Sequence, residues 1–255
     1  MKFITDNIER WVTGIALLAT TIMIGLIDNY FVMWLYLGFF YFKGFDEAIK
    51  LFGIQRKSPY TYAIIIWLVA YFYPNPDDLF FIMAIFFGSK LAYTQEHIKK
   101  KLLIPFLYPV SGFLFMLVLY RDFGINFMLW LLIIVAITDT AAYFVGKSIG
   151  KTPFSPTSPN KTLEGVIGGI TFAMVAGAIT GYFMELVPSF FDALIISFLT
   201  ATASIFGDLF ESYIKREAGV KDSGTLLPGH GGVLDRLDGY LFGSIIMLIA
   251  LRAFL

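Results

Sequence analysis

The sequence predicts an all-α, polytopic integral membrane protein, and three observations carry that expectation. Of its 255 residues, 58% are hydrophobic and only 15% are charged, whereas a soluble domain is nearer 45–50% apolar and roughly 25% charged. Aromatic residues make up 18% of the chain, which excludes disorder. Long apolar runs recur from end to end, and mean hydropathy is +0.75. A backbone in lipid must pair its own N–H and C=O groups, so such runs are read as helices.

About nine transmembrane helices are expected: Trp11–Ile27, Tyr30–Phe42, Tyr60–Tyr73, Leu79–Tyr93, Leu102–Tyr120, Ile125–Val145, Gly165–Val187, Phe190–Leu209 and Gly239–Leu255. The second to fourth are short, and the first pair turn at Asp28-Asn29. Lys2 and Arg10 before the first run resemble the start of a signal peptide. Asp6 and Glu9 dilute that charge and no A-x-A site precedes Asp28, so the run is read as a retained helix.

Loop charge sets the orientation. With the amino terminus cytoplasmic, sixteen of the lysines and arginines fall inside and only Arg121 and Arg252 outside, with Lys90 within a span. The carboxyl terminus is then outside, and the expected location is the cell (cytoplasmic) membrane. The Lys99-Lys100-Lys101 run reads as a topology determinant, with anionic-lipid contact as the alternative. Residues 1–124 form an amino-terminal group of about five helices. Residues 125–255 form a carboxyl-terminal group of about four, with cytoplasmic loops at 146–164 and 210–238. The longest polar stretch, Glu211 to Asp238, is too short for an independent core. No repeat supports an inverted-repeat transporter. The absence of cysteine excludes disulfides, thiolate catalysis and Cys-type zinc sites.

Polar residues within or beside membrane helices cost about 2.5–3.5 kcal/mol per central charge, so they are the candidates for function. The densest group runs from Asp208 to Asp238. Asp208, Glu211 and Ser212 share one helical face by spacing. Lys215, Arg216 and Lys221 follow, then Pro228-Gly229-His230-Gly231-Gly232, and the stretch closes with Asp235, Arg236 and Asp238. Carboxylates at helix ends suit a hard cation such as Mg2+, which bridges phosphate oxygens. The loop cations match a triphosphate, and glycines let backbone N–H groups approach phosphate closely. The bland alternative for any one of these residues is a basic cytoplasmic loop with turns and neutralising Asp–Arg pairs.

Two further places qualify. Asp139, late in the sixth run between Thr138 and Thr140, is either a buried structural aspartate or a wall of the same polar cavity. The Pro-rich segment from Thr152 to Thr162 takes an extended path. Thr162 is placed to cap the seventh helix, and Glu164 favours its first turn. Capping leaves Ser158, Asn160 and Lys161 unexplained, and these are candidate ligand contacts. His97 reads as a surface residue, and His230 as a phosphate donor, an acid/base or a loop hydrogen-bonder. The aromatic load reads as lipid-facing and interfacial.

These residues carry a resemblance. Ser212–Arg216, Lys221–Gly224 and Leu227–Asp238 resemble, without departure, the signature of the CDP-diglyceride synthases, also called phosphatidate cytidylyltransferases. Gly207-Asp208-Leu209, Asp139–Tyr143 and Ser158–Gly165 are similar to upstream elements of that family. The resemblance is specific over roughly residues 125–255. It implies CTP + phosphatidic acid → CDP-diacylglycerol + pyrophosphate, Mg2+-dependent, at the cytoplasmic membrane boundary and feeding phospholipid synthesis. A second cation beside Mg2+ is left open. The implied roles are as follows: Asp208 and Asp235 on the metal, with Asp238 and Asp139 as weaker candidates; Lys215 and Arg236 at the reacting phosphates. Arg216, Lys221, His230, Gly231 and Gly232 are implied on substrate. No nucleic acid is expected. The small-residue face at Gly165, Gly168 and Gly169 permits tight helix packing, including that of a homodimer.

Two other readings fit less of the chain. A CDP-alcohol phosphatidyltransferase would begin at Asp235–Gly239, but no A-R and D-x-x-x-D follow in the tail. An ion-coupled transporter would place its charges near the midplane and not concentrate them in one loop.

Overall fold

The computed structural model describes residues 8–94 and 103–255. His97 and the lysine run at 99–101 lie outside the described residues, as do Lys2 and Asp6. Among the described residues there are nine α-helices and one two-stranded sheet. The chain forms two compact units, residues 1–117 with 220–236, and residues 118–219 with 237–255.

The first unit contains α1 (Ile8–Ile27), α2 (Tyr30–Leu51), α3 (Ser58–Phe72) and α4 (Asp78–Thr94). Asn29 caps α2 by accepting from the Val32 N–H at 3.2 Å. Pro59 sits in the first turn of α3, where its missing N–H costs nothing. The run expected at Leu102–Tyr120 is broken. A π-helical turn at Phe106–Val110 contains Pro109, and only then does α5 (Ser111–Phe123) begin. Proline cannot donate to the ladder, which is why the apolar run does not stay one regular helix. The core here is aromatic: Trp67 stacks on Tyr41 at 4.5 Å between ring centres, and Gly38 leaves room for the Trp67 ring. Outward-facing Ile15, Leu18, Leu26 and Phe72 stay exposed, as lipid-facing residues do.

The second unit contains α6 (Ile125–Ile149), strands β1 (Pro153–Ser155) and β2 (Ser158–Thr162), α7 (Leu163–Phe183) and α8 (Phe190–Glu217). It also holds most of α9 (Leu234–Phe254). Its helices meet through glycine. A Cβ on Gly165 would lie 2.7 Å from the Ala142 carbonyl oxygen, and one on Gly169 would lie 2.7 Å from that of Thr138. Gly168 faces Val145 just as closely. The small-residue face at Gly165, Gly168 and Gly169 thus serves tight packing of α7 on α6 within one chain. Further along the same seam, the Trp130 indole N–H donates to the Gly177 carbonyl at 2.7 Å.

Among the described residues, five helices are long and apolar enough to cross a membrane: Phe106–Phe123, Ile125–Ile149, Leu163–Phe183, Phe190–Glu217 and Leu234–Phe254. Val12–Ile27 and Ser58–Phe72 are apolar but shorter. The 15 residues of α3 rise only about 22 Å. The chain is an all-α membrane protein.

Candidate active site

In the second unit, three separate stretches of sequence line one cavity of about 490 Å³, within the usual size range of small-molecule sites. Asp139, Tyr143 and Lys147 come from α6, Asn160 and Lys161 from β2, and Asp208 from α8. The two-stranded hairpin was not expected, although an extended path was. Pro153 and Thr162 are paired in it, as are Ser155 and Ser158. Thr162 caps α7 as expected, accepting from the Gly165 N–H at 3.1 Å. Glu164 does more than favour the first turn. It accepts from the Lys151 N–H at 3.1 Å, the Thr152 N–H at 3.2 Å and the Thr152 hydroxyl at 2.9 Å. The hairpin is thereby tied to the helix it precedes, and Lys161 is presented inward. Ser158 sits in β2 but does not line the cavity, whereas Asn160 and Lys161 do.

Lys161 forms an ion pair with Asp208, both side chains being about one-quarter exposed. Ser212 reaches the other Asp208 oxygen at 3.4 Å, one turn on. Three residues beyond Asp208, Glu211 is fully buried and pairs with Lys215. Asp238 of α9 has Asp208, Glu211 and Asp139 as its electrostatic neighbours. Helices α8 and α9 approach this closely because Gly207 has no side chain: a Cβ there would lie 2.5 Å from the Asp238 carbonyl oxygen. Four carboxyl groups and two lysines thus share one region. Arg216 is exposed at the end of α8.

In the first unit, the loop 220–233 leads into α9 and is organised around two carboxylates. One oxygen of Asp235, Oδ2, accepts from the backbone N–H groups of Ser223 and Gly232, each at 2.8 Å. Gly231 has φ +85°, and a Cβ there would lie 2.6 Å from that same oxygen, so only glycine fits. The Pro228–Gly231 turn closes with the His230 N–H on the Leu227 carbonyl at 2.8 Å. Arg236 donates from Nε to the His230 carbonyl at 2.9 Å, bracing the turn. The His230 ring stands against Gly14 of α1, and the Thr13 hydroxyl donates to the Pro228 carbonyl at 3.1 Å. Lys221 is exposed.

The second carboxylate of that loop, Glu47, was missed by sequence reasoning. It lies in α2, only 5% exposed, and accepts from the Val233 N–H at 2.8 Å and the Leu234 N–H at 2.9 Å. It thereby caps α9 from 186 residues away. In the sequence Glu47 stands among Lys43, Asp46 and Lys50, where it reads as one more charge of a polar helix end. Lys147 and Tyr143 were likewise not named as site residues, although Tyr143 closes the Asp139–Tyr143 element and Lys147 follows it by one turn.

Comparison with known proteins bears on the whole chain. A model of the cytidylyltransferase family matches residues 8–254. The chain belongs to that family. A phosphatidate cytidylyltransferase of Helicobacter pylori is 46% identical over 238 residues, covering 93% of this chain and 89% of that protein. One from Thermotoga maritima is 36% identical over 81% of this chain and 82% of its own length. The chloroplastic phosphatidate cytidylyltransferase 4 of Arabidopsis thaliana is 47% identical over 108 residues, 42% of this chain. For a cytidylyltransferase, a cavity that pairs lysines with clustered carboxylates is the expected chemistry, since a nucleoside triphosphate needs both cations and a charge-neutralised approach.

Proposed function

We infer that this protein is a phosphatidate cytidylyltransferase, joining CTP to phosphatidic acid to give CDP-diacylglycerol and pyrophosphate. The observation that carries the reading is the loop signature from Ser212 to Asp238, set in a chain 46% identical to a curated enzyme of that name over 93% of its length. A lipid phosphate oxygen attacks the α-phosphorus of CTP in line. The bond to the β-phosphate breaks, and its electron pair leaves with pyrophosphate. No covalent nucleophile on the protein is required, so catalysis is positioning plus charge neutralisation.

Lys161 and Lys147 are assigned to triphosphate oxygens, and Asn160 to orientation of the nucleotide. Lys161 gives up Asp208 for phosphate, which frees the carboxylate for a cation. Lys215, Arg216, Lys221, His230 and Arg236 are assigned to phosphates of either substrate, and the Gly231 and Gly232 backbone to close approach. Among the described residues no group of three or more His, Asp or Glu side chains is set as a ready metal cage. Mg2+ does not need one, because it keeps several waters and binds through one or two carboxylates plus substrate phosphates. The donor set around Asp208, with Asp238 and Asp139, consists of hard oxygens in excess of nearby cations, which fits Mg2+. Bound there, the ion would neutralise charge developing on the phosphates. Asp235, the other carboxylate that the resemblance implies on the metal, is proposed as a further catalytic carboxylate, with Oδ2 held by two backbone N–H groups.

We further propose nine membrane crossings with the amino terminus cytoplasmic, supported by the sixteen-to-two split of loop cations. CTP then meets the loops from the cytosol. The test is transfer of labelled CMP from CTP to an organic-extractable product. It should require phosphatidic acid and fail with ATP or GTP; equal use of ATP would contradict the reading.

A further inference from the structure

We propose that Glu47 is a positioning residue for this reaction, acting through Ser223 and the first turn of α9 to hold Asp235 and its loop in register. The inference rests on the assignment of the 220–236 loop to substrate. Glu47 accepts on Oε1 from the Val233 N–H, and on Oε2 from the Leu234 N–H and, at 2.8 Å, from the Ser223 hydroxyl. That hydroxyl lies 3.1 Å from Asp235 Oδ2. One hydroxyl proton serves one acceptor, and the shorter contact assigns it to Glu47. Oδ2 of Asp235 then accepts from the backbone N–H groups of Ser223 and Gly232. The Asp235 N–H returns a bond to the Ser223 oxygen at 3.3 Å. The two carboxylates are thus linked through one serine, and each also binds backbone of the same loop.

The packing is built around this group. A Cβ on Gly224 would lie 2.5 Å from Glu47 Oε1, and a Cβ on Gly232 would lie 2.5 Å from Oε2. Two glycines of the signature therefore let the loop close on a side chain from the amino-terminal part of the chain. Gly232 is next to Val233, whose N–H Glu47 accepts, and its own N–H goes to Asp235. A shift at Glu47 consequently moves the donors that fix Asp235. A helix start also favours a carboxylate at its N–H groups, so the placement suits a fixed anchor.

Glu47→Gln separates positioning from bulk. Both carboxyl oxygens accept from backbone N–H groups, so an amide must set its NH2 against one of them. In the intact protein in detergent with phosphatidic acid, kcat per folded molecule should fall roughly 10- to 100-fold, the scale on which about 1 Å of misplacement costs rate. KM for CTP should rise with it, and Glu47→Asp should recover part of the loss. Ser223→Ala, which keeps every backbone bond to Glu47, should lower kcat about tenfold. Asp235→Asn, measured alongside, should be inactive. A folded Glu47→Gln protein with wild-type kcat and KM overturns the inference while leaving the reading of the loop intact. If Glu47→Gln does not fold, wild-type kcat in Ser223→Ala overturns it equally. Normal activity in Asp235→Asn would sink the reading of the loop, and this inference with it.

Discussion

The carboxylates of Asp235 and Asp208 belong to the same signature region and live in opposite surroundings. One oxygen of Asp235 is held by backbone donors, the N–H groups of Ser223 and Gly232. A second carboxylate, the buried Glu47 of α2, is held in the same way by the start of α9. Asp208 instead has a single lysine partner and a set of like charges around it, with Asp238, Glu211 and Asp139 sharing its region. The first arrangement occupies its Oδ2 with backbone donors. The second gathers negative charge that a divalent cation would relieve. A carboxylate that organises backbone and one set among like charges can thus be told apart by their partners, though the sequence writes both as Asp.

The sharpest way to break that contrast is charge removal. Asp208→Asn and Asp235→Asn should each lower CMP transfer by about 10³-fold or more. Raising Mg2+ should partly restore Asp208→Asn and leave Asp235→Asn unchanged. Equal rescue of both would erase the distinction. Next in size, Gly231→Ala should cost about 1–3 kcal/mol in thermal or denaturant unfolding and depress kcat. It puts a side chain at φ +85° against Asp235. In the second unit, Lys161→Ala should raise KM for CTP about tenfold, read from initial rates, with little loss of stability because its partner is better hydrated without it. At the small end stands the exposed i,i+4 pair Lys50–Asp46, 2.7 Å apart with the lysine side chain 70% exposed. Lys50→Ala should change stability by about 0.5 kcal/mol or less and leave turnover alone.

Much of this was legible in the chain. Apolar runs marked the helices because lipid forces the backbone to satisfy itself locally. Thr162 announced its cap because an N-cap is settled by residues three apart. The loop signature was legible because its chemistry is contiguous. What the sequence hid was non-local. Glu47 pairs with residues 176 to 187 positions away, and nothing near it hints at the helix it caps. The gathering of Asp139, Lys161 and Asp208 into one cavity was open as one of two readings, and only the packing of α6 and α8 against α7 supplied it. The β-hairpin escaped because its three prolines argue for extended chain and say nothing of pairing. The glycine face of α7 was legible as a place for tight helix packing, though not which helix meets it, since small residues look the same whichever partner they meet.

That glycine face has a mechanical consequence. Where α6 and α7 touch at Gly165, Gly168 and Gly169, backbone lies on backbone or on a short β-branched side chain, with no long rotamer between them to flex. A seam of this kind has no slack: parting it by even a fraction of an ångström forfeits contact along its whole length. The cavity wall carrying Asp139 and Tyr143 and the helix start carrying Thr162 and Gly165 therefore travel as one plate. The Glu164 clamp attaches the hairpin, and Lys161 with it, to the same plate. That face of the cavity is therefore preformed, and any adjustment of its width falls to the α8 side, where Asp208 stands.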